Sequence, residues 1–219
     1  MANPTPNGEQ ASEFDSIEDS IEAFRNGEFL VVVDNEDREN EGDLIIAGED
    51  FTPEKAAFMI RYTSGLICVT VAPERLDELQ LPLMVPNNTE SMRTAYTISV
   101  DYKHGTTTGI SAKDRSTTTK ALANPACKAE DFNRPGHIFP LKPVRGGTLN
   151  RVGHTEAALD FAKLAGKQPV SAICEVVLDD GRMARRDDLK AFAKQWGLKM
   201  CTISDLVKYR QRNGLTEQW

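Results

Sequence analysis

A run of acidic residues stands between two apolar segments near the start of the sequence. The segment DNEDRENEGD (34–43) holds six carboxylates and one arginine. If its second half is extended, Glu39, Glu41 and Asp43 point the same way, because side chains alternate along an extended chain. Three carboxylates on one face repel one another unless a cation or protons intervene, and oxygen ligands suit Mg²⁺ or Mn²⁺. The segment alone leaves open a solvated acidic hairpin.

A glycine-containing turn, RGGTLNRVGHT (145–155), leads directly into a segment with apolar residues at helical spacing. The start of a helix offers free backbone N–H groups and a partial positive charge, which favour phosphate. Arg151 could add a bidentate contact, Gly153 lets the backbone approach a ligand closely, and Thr155 is the predicted N-cap. His154 stands at the mouth of this turn. The turn alone does not distinguish a metal ligand from a capping histidine.

Two more residues carry groups suited to acid–base chemistry. His137 follows Arg134-Pro135-Gly136 and is predicted to start a strand from a rigid turn. Glu175 lies within the apolar run AICEVV (172–177), where a buried carboxylate is costly unless it is paired. A catalytic or substrate-binding role would explain Glu175. For both residues the alternative is a solvent-facing position at a strand end or sheet edge.

The elements that must position these residues alternate between strands and helices. Several predicted strands are apolar on both faces, which is typical of a sheet covered on both sides. We therefore predict an α/β fold (an α+β mixed sheet), with helices on both sides of a mixed β-sheet in a single domain. Strands are predicted at 29–33, 44–47, 66–71, 94–101, 137–141, 172–177 and 199–203, and helices from Ser16, from Thr52, at 73–79, within 105–123, at 155–166, at 185–197 and from Ser204.

Composition limits the domain organisation and the partners. Residues 1–14 are polar and contain proline, asparagine and glycine, and they are predicted to form a flexible N-terminal tail before one domain at 15–219. The formal charge of −7 argues against a nucleic-acid or anionic-membrane partner. None of the four cysteines forms a Cys-x-x-Cys pair, so reduced buried thiols in a cytoplasmic protein are predicted.

Seven stretches, taken together, resemble the dihydroxybutanone phosphate synthase family. They occur in order between about residues 30 and 180. They are VVVDNEDRENEGDLIIAGE (31–49), YTSGLICV (62–69), TAYTISVD (94–101), GTTTGISAKDRSTT (105–118), RPGHIFPL (134–141), RVGHTEAALDFAKLAG (151–166) and AICEVV (172–177). Any one stretch could occur by chance, but seven in register are specific.

The resemblance implies an enzyme that converts D-ribulose 5-phosphate to L-3,4-dihydroxybutan-2-one 4-phosphate and formate in riboflavin biosynthesis. Glu39 and His154 then resemble the protein ligands of Mg²⁺, with Mn²⁺ possible and two ions expected per site. His137 and Glu175 resemble the pair that the family needs for activity. The implied substrate contacts are Arg38, Glu39, Asp43, Arg151, Val152, Gly153, His154, Thr155 and Glu175, with Cys68, Thr107, Thr108 and Asp114 lining the same pocket.

The resemblance also implies a homodimer with active sites near the interface. In the implied reaction, a carboxylate from Glu41, Asp43 or Glu175 would remove the proton from C3 of the sugar, and His137 could move protons later. The sequence does not match individual bases to individual steps. Two alternatives stay open: another metal-dependent sugar-phosphate isomerase or aldolase, and a nucleotide- or RNA-binding domain of related sheet architecture.

Overall fold

A seven-stranded mixed sheet forms the centre of the protein in a computed structural model, which describes residues 13–216. The strand order is β4-β5-β3-β6-β2-β1-β7. The β3–β5 and β1–β7 pairs are parallel, and the other neighbours are antiparallel. The strands are β1 (Leu30–Val33), β2 (Gly42–Ala47), β3 (Cys68–Val71), β4 (Val100–Tyr102), β5 (Phe132–Leu141), β6 (Val170–Glu175) and β7 (Lys199–Thr202).

Helices cover both faces of this sheet. One core contains residues from α2, α3, α4 and α6, and a second contains residues from α1, α5 and α7. Within β1, Val31 and Val33 face the first core, while Leu30 and Val32 face the second. The predicted fold class is confirmed. The helices are α1 (Ile17–Arg25), α2 (Pro53–Tyr62), α3 (Pro73–Glu78), α4 (Ala112–Ala123), α5 (His154–Leu164), α6 (Arg186–Trp196) and α7 (Ile203–Arg212).

Several predicted element boundaries are wrong. Strand β5 begins at Phe132, so His137 lies within the strand and does not start it. Helix α5 begins at His154 with Gly153 as its N-cap, so Thr155 is already helical. Helix α7 begins at Ile203, because the Thr202 hydroxyl accepts a hydrogen bond from the Asp205 backbone N–H at 3.0 Å and caps the helix two residues before Ser204. The strand predicted at 94–101 is regular only from Val100. Its earlier part makes only isolated bridges, at Tyr96 and Thr97, and the β4–β5 register shifts after Val100.

The ends of the chain lie largely outside the described residues. Of the predicted tail, residues 1–12 are not described, whereas Phe14 packs against the first core. All four cysteines are free and buried, as predicted. Within 13–216, no helix combines the length and the apolar character needed to cross a bilayer.

Candidate active site

A cavity opens at the edge of the sheet where β2 and β3 begin and β6 ends. It lies on the α1, α5 and α7 side, because Cys68 and Ile173 in its wall belong to the second core. The loop between β1 and β2 and the start of α5 complete it. The cavity is lined by Arg38, Glu39, Glu41, Asp43, Cys68, Glu90, Thr94, Tyr96, Leu141, Arg151, His154, Thr155, Ile173 and Glu175.

The acidic loop is organised by Asp34, the first residue after β1. Its buried carboxylate accepts hydrogen bonds from the backbone N–H groups of Glu39 and Glu41, both at 3.0 Å, and from the Arg38 guanidinium at 2.9 Å. Asn40 adopts a left-handed conformation with φ of 54°. The loop is therefore a turn, and of the segment 39–43, which we considered as extended, only Gly42 and Asp43 lie in a strand. Its carboxylates still reach the cavity, because Asp34 folds the loop back over the end of β1.

The Glu39 carboxylate faces the imidazole of His154 inside this cavity. Oε2 of Glu39 lies 3.5 Å from Nδ1 of His154, and Oδ1 of Asp43 lies 3.8 Å from the same nitrogen. Nε2 of His154 is 3.0 Å from the carbonyl oxygen of Val32. A carbonyl only accepts hydrogen bonds, so Nε2 carries a proton and Nδ1 points at the acids. This is the ring orientation that a metal-binding histidine needs.

The charges of Glu39, Asp43 and His154 favour the binding of a cation. Burial, together with the neighbouring carboxylates, raises the pKa of Asp43 to about 7. Burial alone would lower the pKa of His154, but the charge of Asp43 and the hydrogen bond to Glu39 raise it to about 9. Oδ1 of Asp43 is buried and has no hydrogen-bond partner among the described residues. Protons therefore compensate a negative charge that a divalent ion could neutralise instead.

Ligand atoms of Asp34, Glu39 and His154 all lie within 4.8 Å of one another. Both oxygens of Asp34 already accept hydrogen bonds from the loop, whereas Glu39 and His154 face the cavity. Asp34 therefore acts as the support of the loop, and Glu39 and His154 are the side chains that could hold a metal.

Glu175, the last residue of β6, completes the acidic wall. Its Cα pairs with that of Asp43 across the β2–β6 ladder, so both carboxylates stand at the same edge of the sheet. Cys68 at the start of β3 lies on the other side of β6. Burial raises the pKa of the Cys68 thiol well above its usual value, which keeps the thiol neutral.

The predicted phosphate turn is built around Arg151. Its guanidinium donates to Oε2 of Glu156 at 2.6 Å and to the carbonyl oxygen of Met92 at 3.1 Å. A Cβ on Gly153 would lie 2.4 Å from Nη1 of Arg151, so a larger residue here would displace the Arg151 guanidinium. Arg151 and Thr155 line the cavity together with the N-terminus of α5. Gly153 does not line it, and neither does Val152, whose side chain is exposed.

His137 does not line this cavity. It lies within β5, where its Nδ1 is 2.7 Å from Oδ2 of Asp101 and its backbone N–H donates to Oδ1 of the same residue at 2.9 Å. A carboxylate only accepts, so Nδ1 carries the proton, and Nε2 has no hydrogen-bond partner among the described residues. The His137 side chain is 42% exposed. His137 and Glu175 are thus not brought into one cavity within a single chain.

The threonine loop before α4 lies beside His137 and also outside the cavity. Asp114 is buried, and its Oδ2 accepts hydrogen bonds from the Thr107 hydroxyl at 2.7 Å and from the backbone N–H groups of Thr107 and Gly109. The hydrogen bond from Thr107 lowers the pKa of Asp114. The predicted placement of Thr107, Thr108 and Asp114 in the same pocket as Glu39 is not observed within one chain, because Asp114 holds the loop instead.

Five residues of the cavity were not predicted as site residues: Glu90, Thr94, Tyr96, Leu141 and Ile173. Thr94 and Tyr96 lie in the stretch TAYTISVD, which carries the family resemblance but which we interpreted only as a strand. Glu90 has no comparable signal. Hydrogen bonds from the backbone N–H groups of Met92 and Thr94 lower the pKa of Glu90 to about 2.

Known proteins are similar to this chain in both sequence and fold. A sequence profile described as 3,4-dihydroxy-2-butanone 4-phosphate synthase matches residues 18–209. The 3,4-dihydroxy-2-butanone 4-phosphate synthase of Agrobacterium fabrum is 57% identical over 193 residues, which cover 88% of this chain and 91% of that protein. The riboflavin biosynthesis protein RibBA of Aquifex aeolicus is 53% identical over 201 residues, which cover 91% of this chain and 50% of that protein.

One solved structure is described as 3,4-dihydroxy-2-butanone 4-phosphate synthase in complex with two magnesium ions. It aligns with a TM-score of 0.89 and 49% identity, and it covers 93% of this chain and 100% of that one. The profile spans most of the sequence, and the sequence identity of the relatives is high enough to indicate a common family. This chain therefore belongs to the 3,4-dihydroxy-2-butanone 4-phosphate synthase family.

Proposed function

We propose that this protein is the enzyme that converts D-ribulose 5-phosphate to L-3,4-dihydroxybutan-2-one 4-phosphate and formate in riboflavin biosynthesis. The observation that carries the proposal is the opposition of Glu39 and His154, 3.5 Å apart, in a cavity walled by further acids. Family membership supports it independently. We assign the activity to the single domain at 15–219.

Glu39 and His154 are the proposed ligands of Mg²⁺, with Mn²⁺ as an alternative and two ions in each site. The buried acids around them and the unpartnered oxygen of Asp43 support this assignment. A bound divalent ion would polarise the C2 carbonyl and C3 hydroxyl oxygens of the sugar and so acidify the C3–H bond. A similar solved protein is described as a complex with two magnesium ions.

The rest of the cavity offers groups for the substrate. Arg151, Thr155 and the start of α5 are proposed to bind the phosphate, with Val152 and Gly153 shaping the turn through their backbone. Arg38 and Cys68 line the cavity and are proposed substrate contacts. Fixing the phosphate at one end places the reacting carbons beside the acidic wall.

Three carboxylates remain candidates for the base: Glu41, Asp43 and Glu175. Burial raises the pKa of Glu41, with a further contribution from the charge of Glu39, and it brings Asp43 to about 7. A group with a pKa near the working pH both accepts and returns a proton efficiently. His137, held by Asp101 with Nε2 free, is suited to move protons in later steps.

A homodimer would complete this site. His137, Thr107, Thr108 and Asp114 lie outside the cavity of their own chain, and the nearby Ile110 and Leu66 are exposed apolar side chains. We propose that two copies associate through this face, so that His137 of the partner subunit enters the cavity. The buried, unpaired cysteines support a reducing, cytoplasmic setting for the enzyme.

The direct test is formate release from ribulose 5-phosphate by the purified protein, with Mg²⁺ and with EDTA. We expect metal-dependent formate, and its loss in Glu39→Gln and His154→Ala. An isomerase or an aldolase would consume the substrate without releasing formate, and that result would overturn the proposal. A nucleotide- or RNA-binding domain would leave the substrate unchanged.

A further inference from the structure

The turn between α2 and β3 is joined to the end of β6. Thr63 forms an isolated bridge with Val176, and the backbone N–H of Ser64 donates to the carbonyl oxygen of Glu175 at 2.8 Å. Gly65 follows with φ of +79°, which lets the chain reverse into β3. The turn therefore has a fixed position relative to the backbone of Glu175.

The Ser64 side chain uses that position to contact the Glu175 carboxylate. Its hydroxyl donates to Oε2 of Glu175 at 2.6 Å, the length of a strong hydrogen bond to a charged acceptor. The Cys174 thiol contacts the same oxygen at a longer distance, 3.9 Å. Both contacts go to Oε2, and the described residues donate no hydrogen bond to Oε1. One oxygen of Glu175 is thus held while the other is left for the cavity.

Arg115 of α4 holds the turn through a hydrogen bond to its backbone. Its guanidinium is buried and donates from Nη1 to the carbonyl oxygen of Gly65 at 2.9 Å. Among the described residues no carboxylate lies within ion-pair distance of it, and its Nε is buried without a partner. Burying a cation without an acid is costly, so Arg115 depends on its hydrogen bond to the Gly65 carbonyl oxygen, which in turn holds the turn.

The Glu175 carboxylate needs a hydrogen bond that fixes its position, because other carboxylates lie close to it. Glu175 shares the sheet edge with Asp43, and its charge contributes to the raised pKa values of Asp43 and Glu41. Like charges push a flexible carboxylate away from its place in the acidic wall. A lysine or arginine partner would neutralise Glu175, whereas a hydroxyl orients it and leaves its charge intact.

We propose that Ser64 is a positioning residue that fixes the Glu175 carboxylate for reaction, through a hydrogen bond delivered by the turn that Arg115 holds. The inference rests on the proposed function, since it assigns Ser64 a part in that reaction. Ser64 itself does not line the cavity and is not expected to touch the sugar. Its removal should therefore affect turnover more than substrate binding.

The test compares Ser64→Ala and Ser64→Thr with the unmodified enzyme in the formate assay. For Ser64→Ala we expect kcat to fall about 10- to 100-fold while KM for ribulose 5-phosphate stays within about twofold. Ser64→Thr keeps the hydroxyl and should restore most of kcat. The melting temperature of both variants should stay within about 2 °C of the unmodified enzyme, because Ser64 is exposed.

Thr63→Val is the matched control. It removes a hydroxyl that accepts the N–H of Gly65 at 3.3 Å in the same turn, but that hydroxyl does not contact Glu175. We expect its kcat to stay within about twofold of the unmodified enzyme. Unchanged kcat in Ser64→Ala, no recovery in Ser64→Thr, or an equal loss in Thr63→Val would each overturn the inference. Absence of formate from the unmodified enzyme would instead count against the proposed function.

Discussion

Oε2 of Glu39 lies 3.5 Å from Nδ1 of His154, although the two residues belong to distant parts of the chain. The β2–β6 pairing and the packing of α5 on the second core bring them together. Glu39 comes from the loop that precedes β2, and His154 is the first residue of α5. The sheet topology, rather than any local motif, makes the proposed metal site.

The first prediction concerns Asp34, which supports the acidic loop. Asp34→Asn replaces an acceptor of three hydrogen bonds with a group that cannot accept them all. We expect kcat/KM to fall by about 10- to 100-fold, corresponding to the loss of hydrogen bonds to a charged group, with the fold intact by circular dichroism. Glu36→Gln is the matched control. It lies on the same loop with 71% of its side chain exposed and should behave as the unmodified enzyme. Equal losses in both variants would contradict the role of Asp34.

The second prediction concerns pH and metal affinity. In the metal-free protein the pKa of His154 is about 9 and that of Asp43 about 7, both above the usual values. Mg²⁺ must displace the proton on Nδ1 of His154, so protons and the metal compete. Apparent Mg²⁺ affinity should therefore rise between about pH 7 and pH 9, with proton release on binding. Calorimetric titrations in buffers of different ionisation enthalpy measure both quantities. Affinity independent of pH over this range would exclude the competition.

The third prediction concerns the orientation of His137. Asp101→Asn keeps the shape of the side chain but weakens the contact that fixes the Nδ1 proton. We expect kcat to fall about 10- to 100-fold, while Mg²⁺ affinity is unchanged because His137 is not one of the proposed metal ligands. His104→Gln removes an exposed histidine that contacts Asp131 and should have no effect. A drop in Mg²⁺ affinity in Asp101→Asn would show that the His137–Asp101 pair and the Glu39–His154 metal site do not act independently.

The fourth prediction concerns a buried ion pair behind the phosphate turn. Nη1 of Arg210 in α7 lies 2.8 Å from Oδ2 of Asp160 in α5, and that oxygen also accepts from the Thr148 hydroxyl at 2.6 Å. Asp160→Asn removes the carboxylate charge from this buried ion pair. We expect the free energy of unfolding to fall by about 3 kcal/mol or more in urea denaturation. A change of under about 1 kcal/mol would mean that the pair adds little to stability.

The sequence predicts the layers of the fold well, because apolar strands buried on both faces differ clearly from amphipathic helices. The family resemblance predicted that Glu39 and His154 lie in one site, and the structure places both in the same cavity. The part played by Asp34 could not be predicted, because its hydrogen bonds depend on the turn that the loop adopts. The placement of His137 outside the cavity follows from strand order, which local patterns do not encode. Tyr96 was missed because its irregular segment resembles a strand.

In the proposed metal site a divalent cation binds between Glu39 and His154. Anomalous scattering from crystals soaked in Mn²⁺ tests it most directly, because the ion can be located without reference to activity. We predict a peak within about 2.2 Å of a Glu39 oxygen and of Nδ1 of His154, and its absence in crystals of His154→Ala. A peak at other residues, or none at millimolar Mn²⁺, would contradict the account.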